Sequence, residues 1–258
     1  MPPDSEATTA LLRGVPSSFA GALVRDGHPS LDPERARDQH GAYRRELERA
    51  GYLIHEVPSD EACPDCGFVE DSAVVVGTVA LITRPGAPSR RDETGPVAAA
   101  LAGSFPLVHM TEPGTLDGGD VFTTDTSLYV GRSGRTNDDG IAQLVAVAGE
   151  QGLTVVPVAV LDTLHLKSAV LPLGGESVLV TAGGVDEPAL AGLHILYEDP
   201  QERYRASALP LRDGRLLVTT SAPRTAAMLS GTGYDVATVD ISELQAADGG
   251  LTCLSILY

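Results

Sequence analysis

Ala73-Val-Val-Val-Gly-Thr-Val-Ala-Leu-Ile82 is the stretch from which the fold of this chain can be read. Two apolar runs flank Gly77-Thr78, the pattern of a β-hairpin closed by a tight turn. The run is too short to cross a bilayer, which needs about 20 apolar residues. The same pattern returns in Val121-Phe-Thr-Thr-Asp-Thr-Ser-Leu-Tyr-Val130, in residues 169–180 and in residues 206–218. The four hairpins begin 48, 48 and 37 residues apart, at 73, 121, 169 and 206.

A helical pattern follows each hairpin, over residues 96–102, 137–151, 187–193 and 223–230. A longer one spans 32–50, with Asp32 as N-cap and Pro33 at the first helical position. Each helix leads into a short apolar strand, at 52–57, 106–110, 154–160, 194–197 and 235–241. Five helix–strand pairs therefore accompany only four complete hairpins. The missing hairpin can come from the chain ends, with Ala10-Leu-Leu-Arg13 against residues 251–257. A period of this length, closed end to end, predicts an α/β propeller of five ββαβ units. No linker or low-complexity segment interrupts it, so residues 1–258 read as a single domain, with a frayed start over 1–9.

Charge and composition narrow the function. Eighteen basic and 35 acidic side chains give a net charge of −17. That disfavours nucleic acid and anionic membranes as partners. The absence of Trp and an aromatic share of 4% remove most base-stacking platforms. Three cysteines cannot pair fully, and no secretory signal opens the chain, so a reducing cytoplasmic setting fits. Cys63-Pro-Asp-Cys66 lacks the second pair that a structural zinc site needs, and reads as loop cysteines. His28, His40, His55, His109 and His194 stand in no motif and read as core or surface residues.

Polar loops fall at one place in the repeat, between each post-helix strand and the next hairpin. They contain Asp65 to Asp71, Asp117 to Asp120, Leu164-His-Leu-Lys-Ser168, Tyr204-Arg205, and Asp248 to Cys253. Pseudo-symmetry would bring them to one end of the propeller axis. A thiol, an imidazole and several carboxylates would then meet, as nucleophilic catalysis by cysteine requires. Cys253 alone would more often be a small buried hydrophobe. Asp120 reads as a buttress of its glycine turn.

Five motifs run in order along nearly the whole chain. They are Glu70-Asp71 followed by Leu81-Ile-Thr-Arg-Pro-Gly-Ala-Pro-Ser-Arg90, then Leu116-Asp-Gly-Gly-Asp-Val121, Gly134-Arg-Thr-Asn137, Leu164-His-Leu-Lys-Ser168 and Leu251-Thr-Cys253. Together they resemble the dimethylarginine dimethylaminohydrolase family of the pentein, or guanidino-group-modifying, superfamily. The resemblance implies a five-bladed α/β propeller. It also implies hydrolysis of asymmetric dimethylarginine or monomethylarginine to citrulline and a methylated amine, without metal or cofactor. Cys253 would be the nucleophile, forming an S-alkylthiouronium intermediate. His165 would be its acid and base, and Asp117 would orient His165.

For the small-molecule substrate, Glu70, Asp71 and Asp248 would meet the guanidinium. Arg90 and Arg135 would clamp the α-carboxylate as planar forks. Asp65 and the Val15 carbonyl would receive the α-ammonium, and Ala247 would border the pocket. Val15 and Ala247 depart from the leucine and valine usual in the family. Two other readings stay open: a different guanidino-modifying activity such as an arginine deiminase, and a catalytically idle arginine-derivative binding protein. A monomer or a homodimer fits equally.

Overall fold

The computed structural model describes residues 8–24, 30–202 and 208–258. In chain order, β1 (Thr9–Arg13) is followed by α1 (Pro33–Arg49) and β2 (Leu53–Val57). Next come β3 (Ala73–Val76), β4 (Val79–Ile82), α2 (Thr94–Leu101) and β5 (Leu107–His109). The third group is β6 (Val121–Thr123), β7 (Ser127–Arg132), α3 (Asp138–Glu150) and β8 (Thr154–Ala159). The fourth is β9 (Val170–Gly174), β10 (Ser177–Val180) and β11 (His194–Tyr197). The last is β12 (Ala208–Pro210), β13 (Arg215–Thr219), α4 (Pro223–Gly231), β14 (Asp235–Val239), α5 (Ser242–Ala246) and β15 (Ser255–Leu257).

These strands form five three-stranded sheets. In each, an antiparallel pair is extended by a parallel third strand that returns after the crossover. The pair is an internal hairpin in four sheets. In the fifth it is β1 against β15, with Ala10 opposite Leu257 and Leu12 opposite Ser255. The chain ends thus complete a unit that neither could form alone.

Burial follows from this placement. Every residue of β3 is buried, whereas β2 and β14 each bury only their last residue. Hairpin strands are covered on both faces, which is why they read as continuous apolar runs rather than alternating ones. The described residues group into five apolar clusters, each joining consecutive units. One holds Leu209, Leu217 and Leu244 from the last unit against Leu12, Tyr43 and Leu257 from the first. It closes the ring, at roughly 1.5–3 kcal/mol for each large side chain buried.

α1 starts as expected: the Asp32 carboxylate accepts from the backbone N–H groups of Glu34 and Arg35, and Pro33 opens the helix. Two departures concern helices. Residues 187–193 hold a single 3₁₀ turn, Glu187–Leu190, where a helix was expected. Gly192 follows at φ 98°, the left-handed region that breaks a helix. The short α5 was not anticipated from the sequence. Tyr204-Arg205, His28 and most of residues 1–9 lie outside the described residues. No described helix is long and apolar enough to cross a membrane.

Candidate active site

Four site segments share one local form. Each is a 3₁₀ turn immediately before the first strand of a sheet: Val69–Ser72, Gly118–Asp120, Leu166–Ser168 and Thr252–Leu254. Glu70 and Asp71 lie within the first turn and Cys253 within the last, while Asp117 and His165 stand just before the two middle ones. The repeat therefore sets matching positions at one end of the axis. Glycine permits the turns to meet. A Cβ on Gly118 would lie 2.0 Å from the Glu70 carbonyl oxygen, and one on Gly119 would lie 2.6 Å from His165 Nδ1.

A cavity opens there, lined by Asp65, Phe68, Asp71, Arg90, Arg135, His165 and Cys253 among others. Leu23, Ala247 and Asp248 also line it. His165 Nε2 is 2.9 Å from Asp117 Oδ2 and 4.0 Å from Asp71 Oδ1. Asp117 is fully buried. Its Oδ1 accepts from the Gly86 N–H at 2.8 Å, and its Oδ2 also lies 3.5 Å from Arg135 Nη1. Asp120 supports the histidine turn from behind: Oδ1 accepts from the Leu166 N–H, and Oδ2 from Ser133 and Thr136 hydroxyls. The buttress expected at Asp120 therefore extends to the turn that carries His165.

The charges interact strongly because the site is buried. Burial opposes protonation of His165, but the Asp71 charge, the Asp117 hydrogen bond and the Asp120 charge outweigh it and raise the imidazole to about 9. Asp71 is held down at about 2, because His165, Arg90 and the Gly119 N–H together overcome its desolvation. The Cys253 thiol is pushed up to about 12 by burial and then by Glu70 and Asp71, although its sulfur accepts from the Gly250 N–H at 3.3 Å. Without a bound cation the thiol therefore keeps its proton, while His165 carries a charge at neutral pH.

His165 makes a stability prediction. Its ordinary value is 6.5 and its folded value is higher, so its contribution is complete below pH 6.5 and is lost as pH rises through about 9. The expected loss is on the order of 2–3 kcal/mol. Denaturant unfolding at pH 6 and pH 9.5 measures it, and His165→Gln is expected to remove this component of the loss. An equal loss in both proteins would place its origin in other groups.

Asp71, Asp117 and His165 offer ligand atoms within 4.8 Å of one another, a spacing a metal could use. Arg90 pairs with Asp71 and Arg135 with Asp117, and His165 is itself protonated. The donor set is thus already charge-compensated by cations, which opposes a further one.

Three expected roles meet a different geometry. Val15 is absent from the cavity lining, and its carbonyl accepts from Arg37 Nε at 3.0 Å. Leu23 lines the cavity instead, and its N–H donates to Asp65 Oδ1 at 3.0 Å. Nothing in the local sequence marks Leu23, since its place at the cavity shows only through its contact with Asp65, 42 residues away. Glu70 lines a neighbouring pocket together with Lys167, 2.5 Å from it, yet its charge reaches Cys253.

Arg90 is not a free fork: its guanidinium lies within the protein, on Asp71, Glu93 and the Phe68 carbonyl. Arg135 is more open, with its side chain 20% exposed. Asp65, Ala247 and Asp248 do border the cavity, and Asp248 takes φ 61°, a left-handed conformation costly for a non-glycine residue. No motif marks Phe68 or Glu93, although Glu93 stands three residues after Arg90, the spacing of an ion pair in a helical turn. Cys63 and Cys66 are buried, and burial pushes both thiols up, Cys63 to about 11. His40 is buried and lowered to about 4, mainly by desolvation.

No family model matches the sequence. The chain is 41% identical over 245 residues to an N(G),N(G)-dimethylarginine dimethylaminohydrolase of Streptomyces coelicolor, spanning 95% of this chain and 94% of that protein. It is 33% identical over 251 residues to the enzyme of the same name from Pseudomonas aeruginosa, spanning 96% and 95%. Among solved structures, the Pseudomonas aeruginosa enzyme, as a cysteine-to-serine mutant complexed with citrulline, matches with a TM-score of 0.93 at 31% identity. That match covers 98% of this chain and 99% of the other. The N-terminal domain of a cyanobacterial arginine dihydrolase matches with a TM-score of 0.85 at 16% identity, over 98% and 97%, and shares the fold.

Proposed function

The chain belongs to the dimethylarginine dimethylaminohydrolase family, and from that premise we propose that Cys253, His165 and Asp117 carry its reaction. The enzyme hydrolyses Nω,Nω-dimethyl-L-arginine, and monomethyl-L-arginine, to L-citrulline and dimethylamine or methylamine. The observation that carries the residue assignment is the 2.9 Å bond between His165 and Asp117 in a cavity shared with Cys253 and Asp71.

The steps follow from the charges. A guanidinium entering beside Asp71 and Asp248 offsets the carboxylate field that raises the thiol. Cys253 then gives its proton to solvent, since His165 already carries one, and its thiolate attacks the central guanidinium carbon. His165, protonated at neutral pH and fixed by Asp117, gives its proton to the departing dimethylamine. A thiouronium remains on the sulfur. The neutral imidazole takes a proton from water and the hydroxide adds to the same carbon; the C–S bond then breaks as the hydroxyl proton passes to the leaving sulfur, which releases citrulline and restores the thiol. Glu70 acts on the thiol by charge. Asp65 receives the α-ammonium, with the lining segment around Leu23 in the part expected of Val15. Ala247 leaves room beside the nucleophile. A nucleophilic thiol suits the reducing cytoplasm, where the enzyme acts as a monomer or a homodimer.

The test is citrulline formation from arginine, monomethylarginine and dimethylarginine in parallel. Turnover of the methylated substrates supports the reading. Ammonia release from arginine alone would make the protein a deiminase. Arg135→Ala tests the carboxylate end. It is expected to raise KM for dimethylarginine about ten- to a hundredfold, the cost of one charge-assisted hydrogen bond. Inhibition by the decarboxylated analogue should not change. Equal losses for both ligands would make Arg135 structural.

A further inference from the structure

Arg90 has five N–H donors, and the protein occupies four of them. Nε–H is shared between the two Glu93 oxygens at 3.1 Å, and Nη2 donates to Glu93 Oε2 at 2.7 Å and to the Phe68 carbonyl at 2.9 Å. The Asp65 carbonyl is a longer contact of Nη2 at 3.4 Å. One Nη1–H meets Asp71 Oδ2 at 2.5 Å. Among the described residues only the second Nη1–H is left without an acceptor, so Arg90 cannot grip a carboxylate with two prongs. Its main partner on the cavity side is Asp71.

Glu93 is 1% exposed, and both of its carboxylate oxygens are spent on Arg90. Its backbone is fixed independently: the carbonyl accepts from Nη1 of the fully buried Arg13 at 3.0 Å, and Arg13 Nε is anchored on the Pro58 carbonyl. A buried carboxylate this isolated from water is costly unless it is paired. Glu93 thus turns Arg90 so that its Nη1 edge points at Asp71, and the Gly119 N–H holds the other Asp71 oxygen at 2.9 Å.

We propose that Glu93 is a positioning residue of the reaction, acting through Arg90 to hold Asp71 where the substrate guanidinium binds. The assignment rests on the dimethylarginine hydrolase reading. It predicts that Glu93 governs the guanidinium end of the substrate rather than the carboxylate end. Without the Glu93 charge, Arg90 turns toward Asp71 alone and neutralises it. Asp71 then offers less to a cation, whether or not that cation carries an α-carboxylate. The loss falls on KM, because this contact forms on binding and persists into the transition state.

The experiment compares Glu93→Gln, Glu93→Asp and Arg135→Ala. Glu93→Gln should raise KM for dimethylarginine and the inhibition constant of its decarboxylated analogue by one common factor, about tenfold or more. Its kcat should stay within about threefold. Glu93→Asp, which keeps the charge but withdraws it by one methylene, should recover part of the loss. It also carries the comparison should Glu93→Gln not fold. A second readout is independent of turnover. His165 faces Asp71, Asp117 and Asp120, so a more fully neutralised Asp71 should lower its titration midpoint, read by NMR. Three results overturn the proposal: an unchanged KM in folded Glu93→Gln, a lower melting temperature with unchanged KM, or a loss confined to dimethylarginine. Failure of the wild-type protein to release citrulline from dimethylarginine would refute the hydrolase reading instead. The His165 midpoint would then decide the role of Glu93 alone.

Discussion

Cys253→Ser is expected to lower citrulline formation from dimethylarginine on the order of 10⁴-fold or more, the scale for removing a covalent nucleophile. The thiol is already hard to ionise, lifted to about 12 by burial and by Glu70 and Asp71. A bound cation can bring a thiolate back within reach of neutral pH, but a hydroxyl starts several units higher and gains no comparable benefit. The fold should be indifferent. Serine is smaller by little, and its oxygen can accept the Gly250 N–H that now meets the sulfur. Melting temperature and dimethylarginine binding should therefore remain close to those of the wild-type protein. Citrulline production near the wild-type rate from the serine protein would end the assignment of Cys253.

The second large effect is on stability. Removing residues 251–258 deletes β15 and with it the buried side chains of Leu251, Leu254, Ile256 and Leu257. At about 1.5–3 kcal/mol each, the loss approaches 6–12 kcal/mol, comparable with the whole stability of an ordinary domain. It also leaves β1 with an unpaired edge opposite β2. We infer that the five units unfold as one domain, because Leu257 belongs to the cluster joining last and first units and Ile256 to the next. The truncated chain should show no cooperative unfolding transition. A melting temperature equal to that of the full chain would mean that the tail is peripheral and the ring is not closed by it. Leu254→Ala is a milder check, expected to cost about 2–5 kcal/mol with the strand retained.

Much of this architecture was legible because it is local. The hairpins announce themselves through continuous apolar runs around Gly77-Thr78 or Gly174-Gly175, and α1 through Asp32 and Pro33. Closure through Ala10–Leu12 followed from counting hairpins, since an unpartnered strand is unstable. The fourth unit shows the limit of local reading: Glu187, Pro188 and Leu190 suit a helix start, but only the single 3₁₀ turn Glu187–Leu190 forms before Gly192 at φ 98°.

The sequence by itself determined the repeat, the pairing of its ends and the identity of the chemical groups. These depend on apolar periodicity, turn residues and motifs that are contiguous along the chain. It also placed Cys253, His165, Asp117 and Asp71 in equivalent loops, and they line or support one cavity. Only the tertiary structure decided how those groups divide the work of holding charge. Leu23 rather than Val15 reaches the cavity, its N–H on Asp65 Oδ1, while Arg37 takes the Val15 carbonyl. Arg90 turns inward because Asp71, Glu93 and two backbone carbonyls surround it, a set drawn from residues up to 25 positions away. A motif records which side chain is present. Whether its donors face substrate or protein depends on distances between groups far apart in sequence, and folding alone sets those distances.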